Sequence, residues 1–266
     1  MIAVDRATDA TEMSERARVR REFDEAAPRY EAGRMAPWYQ EQGRMVLGEL
    51  GELAGPIVDV GCGTGWFLRR VARANPGIQA VGVDLSPRMV AHAREAAASE
   101  GLTGVRFLEG DWEDPDTADR VSASLSAPAA AVTCISAFHY FREPATALAR
   151  MGRILAPGGR IILVERAVDG SFLTLLWGAL HRWVLRDGVR FYHTRDLEGL
   201  MVEAGLVEPR TIRRVRRYLW KGKLYTSLGV VVGSRGEEGG EDLSRTGDPL
   251  EELESTHTQG REIDGP

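Results

Sequence analysis

The sequence predicts an α/β fold: a mostly parallel sheet covered by helices on both faces. Three observations predict it. From residue 57 onward, short apolar runs alternate with stretches of helical pattern, glycines at 61, 63 and 65 follow the first run directly, and Gly/Pro punctuation separates the units. Strands joined through helices need crossover connections, which place helices on both faces of a parallel sheet.

Taken in order, residues 1–13 are polar and expected to be mobile. Residues 14–27 are helical and heavily charged in composition, ending at Pro28, and a second helix is expected over 37–50, before Gly51. Both precede the first strand, so residues 14–51 form either a lid or a cover padding one face. Ile57-Val58-Asp59-Val60 reads as a buried strand, the glycine run as a tight turn, and 66–74 as a helix stopped by Asn75-Pro76-Gly77. A second strand over 80–84 is closed by Asp84, and Ser86-Pro87 supplies an N-cap and first-turn proline for a helix running to Glu100.

Further strands are expected at 105–109 and 130–136. A helix over 143–155 presents Leu148, Met151, Ile154 and Leu155, and Pro157-Gly158-Gly159 turns it into a strand at 160–165. Residues 166–193 break the rhythm with an apolar stripe containing Leu173, Leu176 and Trp177, read either as a cap over a pocket or as a core-packing helix. Thr194 is expected to cap a helix reaching Gly205. Segments 207–218 and 224–234 flank Lys221-Gly222-Lys223 as an antiparallel hairpin, whose arginines read as a solvated face. Residues 235–266 lack hydrophobic periodicity and are expected to be a disordered acidic tail outside a 14–234 domain.

Composition narrows the function classes. The chain has 266 residues, 43 % of them hydrophobic and 27 % charged, as in an ordinary globular protein. Of its formal net charge of −5, the tail, with three arginines and ten acids, carries −7, which leaves the body near neutral and without a charge argument for nucleic acid. Cys62 and Cys134 fall in apolar strand contexts, so neither a disulfide framework nor a metal site is expected. The N-terminus has no apolar targeting core and 171–180 is too short to span a bilayer, so a cytoplasmic protein without a transmembrane segment is expected.

Three glycines at alternate positions admit positive φ and bring backbone close to whatever lies against it. Asp84 ends its strand about 19 residues after Gly65, close to the spacing at which an acid meets ribose hydroxyls in nucleotide-binding sheets. A nicotinamide dinucleotide would use the same acid, but its fingerprint is G-x-G-x-x-G, whereas this chain has G-x-G-x-G with Asp59 two residues ahead.

With Asp59-Val60-Gly61-Cys62-Gly63-Thr64-Gly65, Val83-Asp84-Leu85-Ser86-Pro87-Arg88-Met89, Gly110-Asp111-Trp112 and Leu155-Ala156-Pro157-Gly158-Gly159, the chain resembles the class I S-adenosylmethionine-dependent methyltransferases over residues 20–234. The segment from Phe23 to Tyr30 is similar to the start of small-molecule members of the quinone-biosynthesis branch. The resemblance implies a Rossmann-like seven-stranded sheet with a final antiparallel strand, and S-adenosyl-L-methionine as cofactor. It implies that Asp59, Gly61, Cys62, Gly63 and Gly65 hold the methionine end, Asp84 the ribose, and Asp111 and Trp112 the adenine, with Leu85 and Met89 as apolar neighbours.

Methyl transfer from a sulfonium is an in-line displacement that depends on alignment and water exclusion, so no covalent nucleophile is required. For a hydroxyl acceptor, His139 just after the fourth strand is the candidate general base, with a structural role as the alternative. Tyr30, Tyr140, Trp177, Tyr192 and His193 are candidates to line the acceptor pocket. The signatures of amino-directed and cytosine-directed DNA methyltransferases are missing, and the apolar 166–193 segment favours a small lipophilic acceptor while leaving room for transient contact with a membrane surface. The alternatives to a methyltransferase are a rival enzyme class, a nicotinamide-dependent oxidoreductase, and a non-enzymatic regulatory protein that binds the cofactor without turnover.

Overall fold

The computed structural model describes residues 3–169, 190–215, 218–220, 223–225 and 228–237. Seven strands form one sheet: β1 (Ile57–Val60), β2 (Ala80–Asp84), β3 (Val105–Glu109), β4 (Ala129–Ile135), β5 (Leu155–Arg166), β6 (Val207–Val215) and β9 (Leu228–Ser234). Between the last two, β7 (Tyr218–Trp220) and β8 (Lys223–Tyr225) pair as a separate ribbon. The sheet order is β3-β2-β1-β4-β5-β9-β6. β1 to β5 pair in parallel, and β9 runs antiparallel to both of its neighbours. The expected final antiparallel strand is therefore β9, inserted between β5 and β6.

Side-chain alternation along the strands divides the core in two, because successive residues point to opposite faces. Ile161 and Leu163 join Val58, Val60, Val81 and Val83 on one face, under α5 (Pro115–Ser124), α6 (Pro144–Arg153) and α7 (Thr194–Glu203). Ile162 and Val164 join Ile57, Ala80 and Phe107 on the other, under α2 (Ala36–Leu50), α3 (Trp66–Ala74) and α4 (Pro87–Ser99). Both faces are buried, as a parallel sheet requires.

Several boundaries depart from the sequence reading. The first helix, α1 (Ala3–Ala26), starts at Ala3 and not at Ser14, since no glycine or proline interrupts the chain before Pro28. Leu155 belongs to β5, where it pairs with Ala129. A register shift after that pair takes up Pro157-Gly158-Gly159 before pairing resumes at Arg160. The N-cap of α7 is His193: its backbone N–H donates to Asp196 Oδ2 at 3.0 Å, and Thr194 is the first helical residue. Helix α5 was not anticipated, although Asp114-Pro115 carries the same signal as Ser86-Pro87: Asp114 accepts from Asp116 N at 3.1 Å. Among the described residues, no helix is long and apolar enough to cross a membrane.

Candidate functional site

The sheet order reverses at β1, which lies between β2 and β4, and ligands of open α/β sheets bind beyond the strand ends at such a point. A cavity of about 360 Å³ opens there. Gly61, Gly63, Val83, Asp84, Leu85, Asp111, Trp112, Ser136 and Ala137 line it from the strand ends, and Tyr30, Tyr140 and residues of α1 close it above. Its size falls at the lower end of the ~300–1,000 Å³ typical of small-molecule sites.

The glycine turn is built as its sequence implies, but the reasons for the three glycines differ. All have positive φ, at 74°, 52° and 70°. A Cβ on Gly61 would lie 2.4 Å from the Ala137 methyl, and one on Gly65 would lie 2.4 Å from the Phe107 ring. Those two positions are fixed by close packing within the chain. A Cβ on Gly63 would meet only Tyr30 Cε1, at an ordinary contact distance of 3.7 Å. Gly65 borders neither this cavity nor the smaller one beside Asp59, and Cys62 borders only the smaller, its sulfur close against Gly82.

Asp84 is held by backbone. Gly63 N donates to its Oδ2 at 2.8 Å and Ser86 N to its Oδ1 at 2.9 Å, so the carboxylate is oriented while each oxygen keeps a free lone pair. Burial raises its pKa to about 6 despite these bonds. Asp59 lies deeper, accepting from Thr133 Oγ1 at 2.6 Å, and desolvation raises its pKa to about 7. It borders a second, smaller cavity of about 60 Å³ that shares Tyr30, Gly61 and Gly63 with the first. Asp59 is buried and Asp84 half-buried, and among the described residues few donors compensate either charge, which is the environment that ligand hydroxyls or a ligand ammonium would complete. Asp111 accepts from Glu113 N at 2.9 Å and from the Arg16 guanidinium at 2.8 Å.

Other expected residues lie elsewhere. Met89 is fully buried, its backbone N–H capped by Ser86 Oγ at 3.1 Å, and it borders neither of the two cavities. Trp112 borders the large cavity while its indole N–H donates to Ala147 O at 3.0 Å. His139 is buried outside the cavity lining, with Nδ1 2.8 Å from Glu165 Oε1 and its ring centroid 4.1 Å from that of Tyr140. Glu165 is fully buried and also accepts from His139 N at 3.1 Å and Arg166 N at 2.8 Å. Its burial is outweighed by the histidine and these donors, so its pKa is lowered.

Tyr192 packs on Phe138 with centroids 5.6 Å apart, away from the cavity. His193 is half exposed at the start of α7, 3.2 Å from Asp169. Trp177 lies outside the described residues. The sequence reading did not single out Glu165, Tyr39, Gln42 or Arg16. Tyr39 stacks on Tyr30 with centroids 4.9 Å apart, and Gln42 accepts from Ser136 Oγ. Ser136 has a φ of 54°, a left-handed conformation that turns its hydroxyl off the strand end. Among the described residues, no group of three or more His, Cys, Asp or Glu side chains could hold a metal ion.

Comparison with known proteins agrees with this geometry. Residues 57–159 match a methyltransferase domain. The chain is 36 % identical over 129 residues to a demethylmenaquinone methyltransferase of Deinococcus radiodurans, covering 47 % of this chain and 48 % of that protein. It is 34 % identical over 153 residues to the demethylmenaquinone methyltransferase of Thermus thermophilus, covering 54 % and 63 %. It thus spans about half to two thirds of the length of these relatives. A Thermotoga maritima methyltransferase structure, 23 % identical, superimposes with a TM-score of 0.59 over 81 % of this chain and 97 % of that one, which supports the fold.

Proposed function

We propose that this chain, a class I S-adenosylmethionine-dependent methyltransferase, transfers a methyl group to a small, flat, largely apolar metabolite such as a quinol precursor. The observation that carries the reading is Asp84: a half-buried acid at the strand-order reversal, oriented by two backbone amides and facing a cavity of ligand size. Asp84 would accept from both ribose hydroxyls and Asp111 from the adenine amino group. Asp59, buried without a cation, would face the ammonium of the methionine end. When bound, the cofactor supplies an electrophilic methyl group on a sulfonium.

The chain's own contribution is orientation and exclusion of water. Phe23, Tyr30 and Tyr140 form an aromatic wall over the cavity, with Phe23 edge-on to both tyrosines at 6.4 and 5.5 Å. Such a wall suits a planar acceptor. It also fits what the names of the two bacterial relatives say they methylate. His139, outside the cavity and fixed by Glu165, would act as a positioning residue that holds Tyr140 in the wall.

Incubation with methyl-labelled S-adenosylmethionine and a panel of acceptors, reduced naphthoquinols included, tests the proposal. Label should pass to a flat phenolic or quinol acceptor. Binding of the cofactor with no transfer to any acceptor in the panel would instead support a regulatory binder.

A further inference from the structure

We propose that Arg16 is a latch on the cofactor site: its guanidinium, paired with Asp111 and Glu113, fastens α1 over the cavity, so cofactor exchange requires this part of α1 to lift. The inference rests on the proposed reading of the cavity as the cofactor site.

Helix α1 crosses the carboxyl ends of β2 and β3, and Glu15, Arg16, Val19 and Phe23 roof the cavity. It is fastened at two points by different chemistry. At Asp24, hydrogen bonds from Ser86 Oγ at 2.6 Å and Arg88 N at 3.3 Å join α1 to the cap of α4. Toward the N-terminus the fastening is ionic: one turn earlier Arg20 lies 3.7 Å from Glu109, and two turns earlier Arg16 lies 2.8 Å from Asp111 Oδ2 and 3.4 Å from Glu113 Oε2.

Glu113 N donates to Asp111 Oδ1 and Arg16 pairs with Oδ2, so the guanidinium bridges the carboxylate to the roof of the cavity while each oxygen keeps a lone pair for a ligand. The seat is imperfect. Arg16 Nε is buried with no acceptor among the described residues, while the side chain as a whole is 36 % exposed and its ion pairs are open to screening by salt. A hydrogen-bonded end beside a salt-sensitive end makes the first a hinge and the second the edge that opens.

Stopped-flow binding of S-adenosylhomocysteine, a zwitterion without net charge, distinguishes the outcomes. R16Q should bind faster than the wild type by about threefold or more, and R16K should fall between them. The wild-type association rate should rise from low to high salt, while that of R16Q, which keeps the Arg20–Glu109 pair, responds less. Slower or unchanged association in R16Q, or a salt response as large as the wild type's, overturns the latch. If wild-type binding nevertheless depends on Asp84, the cofactor reading stands without it; wild-type protein that does not bind S-adenosylhomocysteine overturns both.

Discussion

Asp84 and Asp59 are two acids on neighbouring strands whose burial makes opposite demands on ligand and fold. For binding, the ionised form of Asp84 is the competent one, so affinity for S-adenosylhomocysteine should weaken as pH falls through about 6 and level off above it. Asp84→Ala should cost about 1–3 kcal/mol of binding free energy at pH 8, measured by calorimetry on protein whose circular dichroism is native. For stability the sign reverses. A carboxyl whose pKa is raised by folding binds more protons in the native state, so its burial costs stability as pH rises from about 4 toward the folded value of about 7 for Asp59. Asp59→Asn should therefore stabilise the chain at pH 8, by on the order of 2–4 kcal/mol, and much less at pH 4, as read from urea midpoints. Asp84 was legible in the sequence because its signal is local: an acid closing an apolar run at a fixed distance from a glycine turn. Glu165, Gln42 and Arg16 were not, because their meaning lies in partners 26, 94 and 95 or more residues away. No local pattern marks such a pairing.

At the scale of elements, the sequence showed strands and helices well where period and punctuation agreed, as in α3, β2 and α4. It was less informative where tertiary pairing decides the outcome, as in β5, which keeps its strand through a Pro-Gly-Gly run because Leu155 pairs with Ala129. The glycine turn shows the same limit. Its spacing revealed close approach, but only the packed structure shows that Ala137 and Phe107 make two of the approaches. The attachment of the N-terminal segment to the sheet also depends on a pairing invisible in one dimension. Arg69 on α3 is buried between Glu31, beside Tyr30, and Glu100, just past α4. Removing Arg69 takes the partner from Glu31, while Glu100 keeps Arg73. Arg69→Ala should cost about 1–3 kcal/mol of stability in urea unfolding, and Arg73→Ala, which pairs with Glu100 from a half-exposed position, about 1 kcal/mol or less.

At the scale of the molecule, the sheet brings residues from four strand ends and the N-terminal segment around one cavity, and this convergence carries the functional reading. The order β3-β2-β1-β4-β5-β9-β6 places the glycine turn, Asp84 and Asp111 side by side, each at the carboxyl end of its strand. Dinucleotide-binding sheets share that general plan, so the choice of ligand is the central claim. Titration calorimetry of the full chain with S-adenosylhomocysteine and, separately, with NAD tests it most directly. One molecule of S-adenosylhomocysteine should bind per chain, with affinity lowered by Asp84→Ala, and NAD should give no measurable heat. Saturable binding of NAD, with none of S-adenosylhomocysteine, would contradict it.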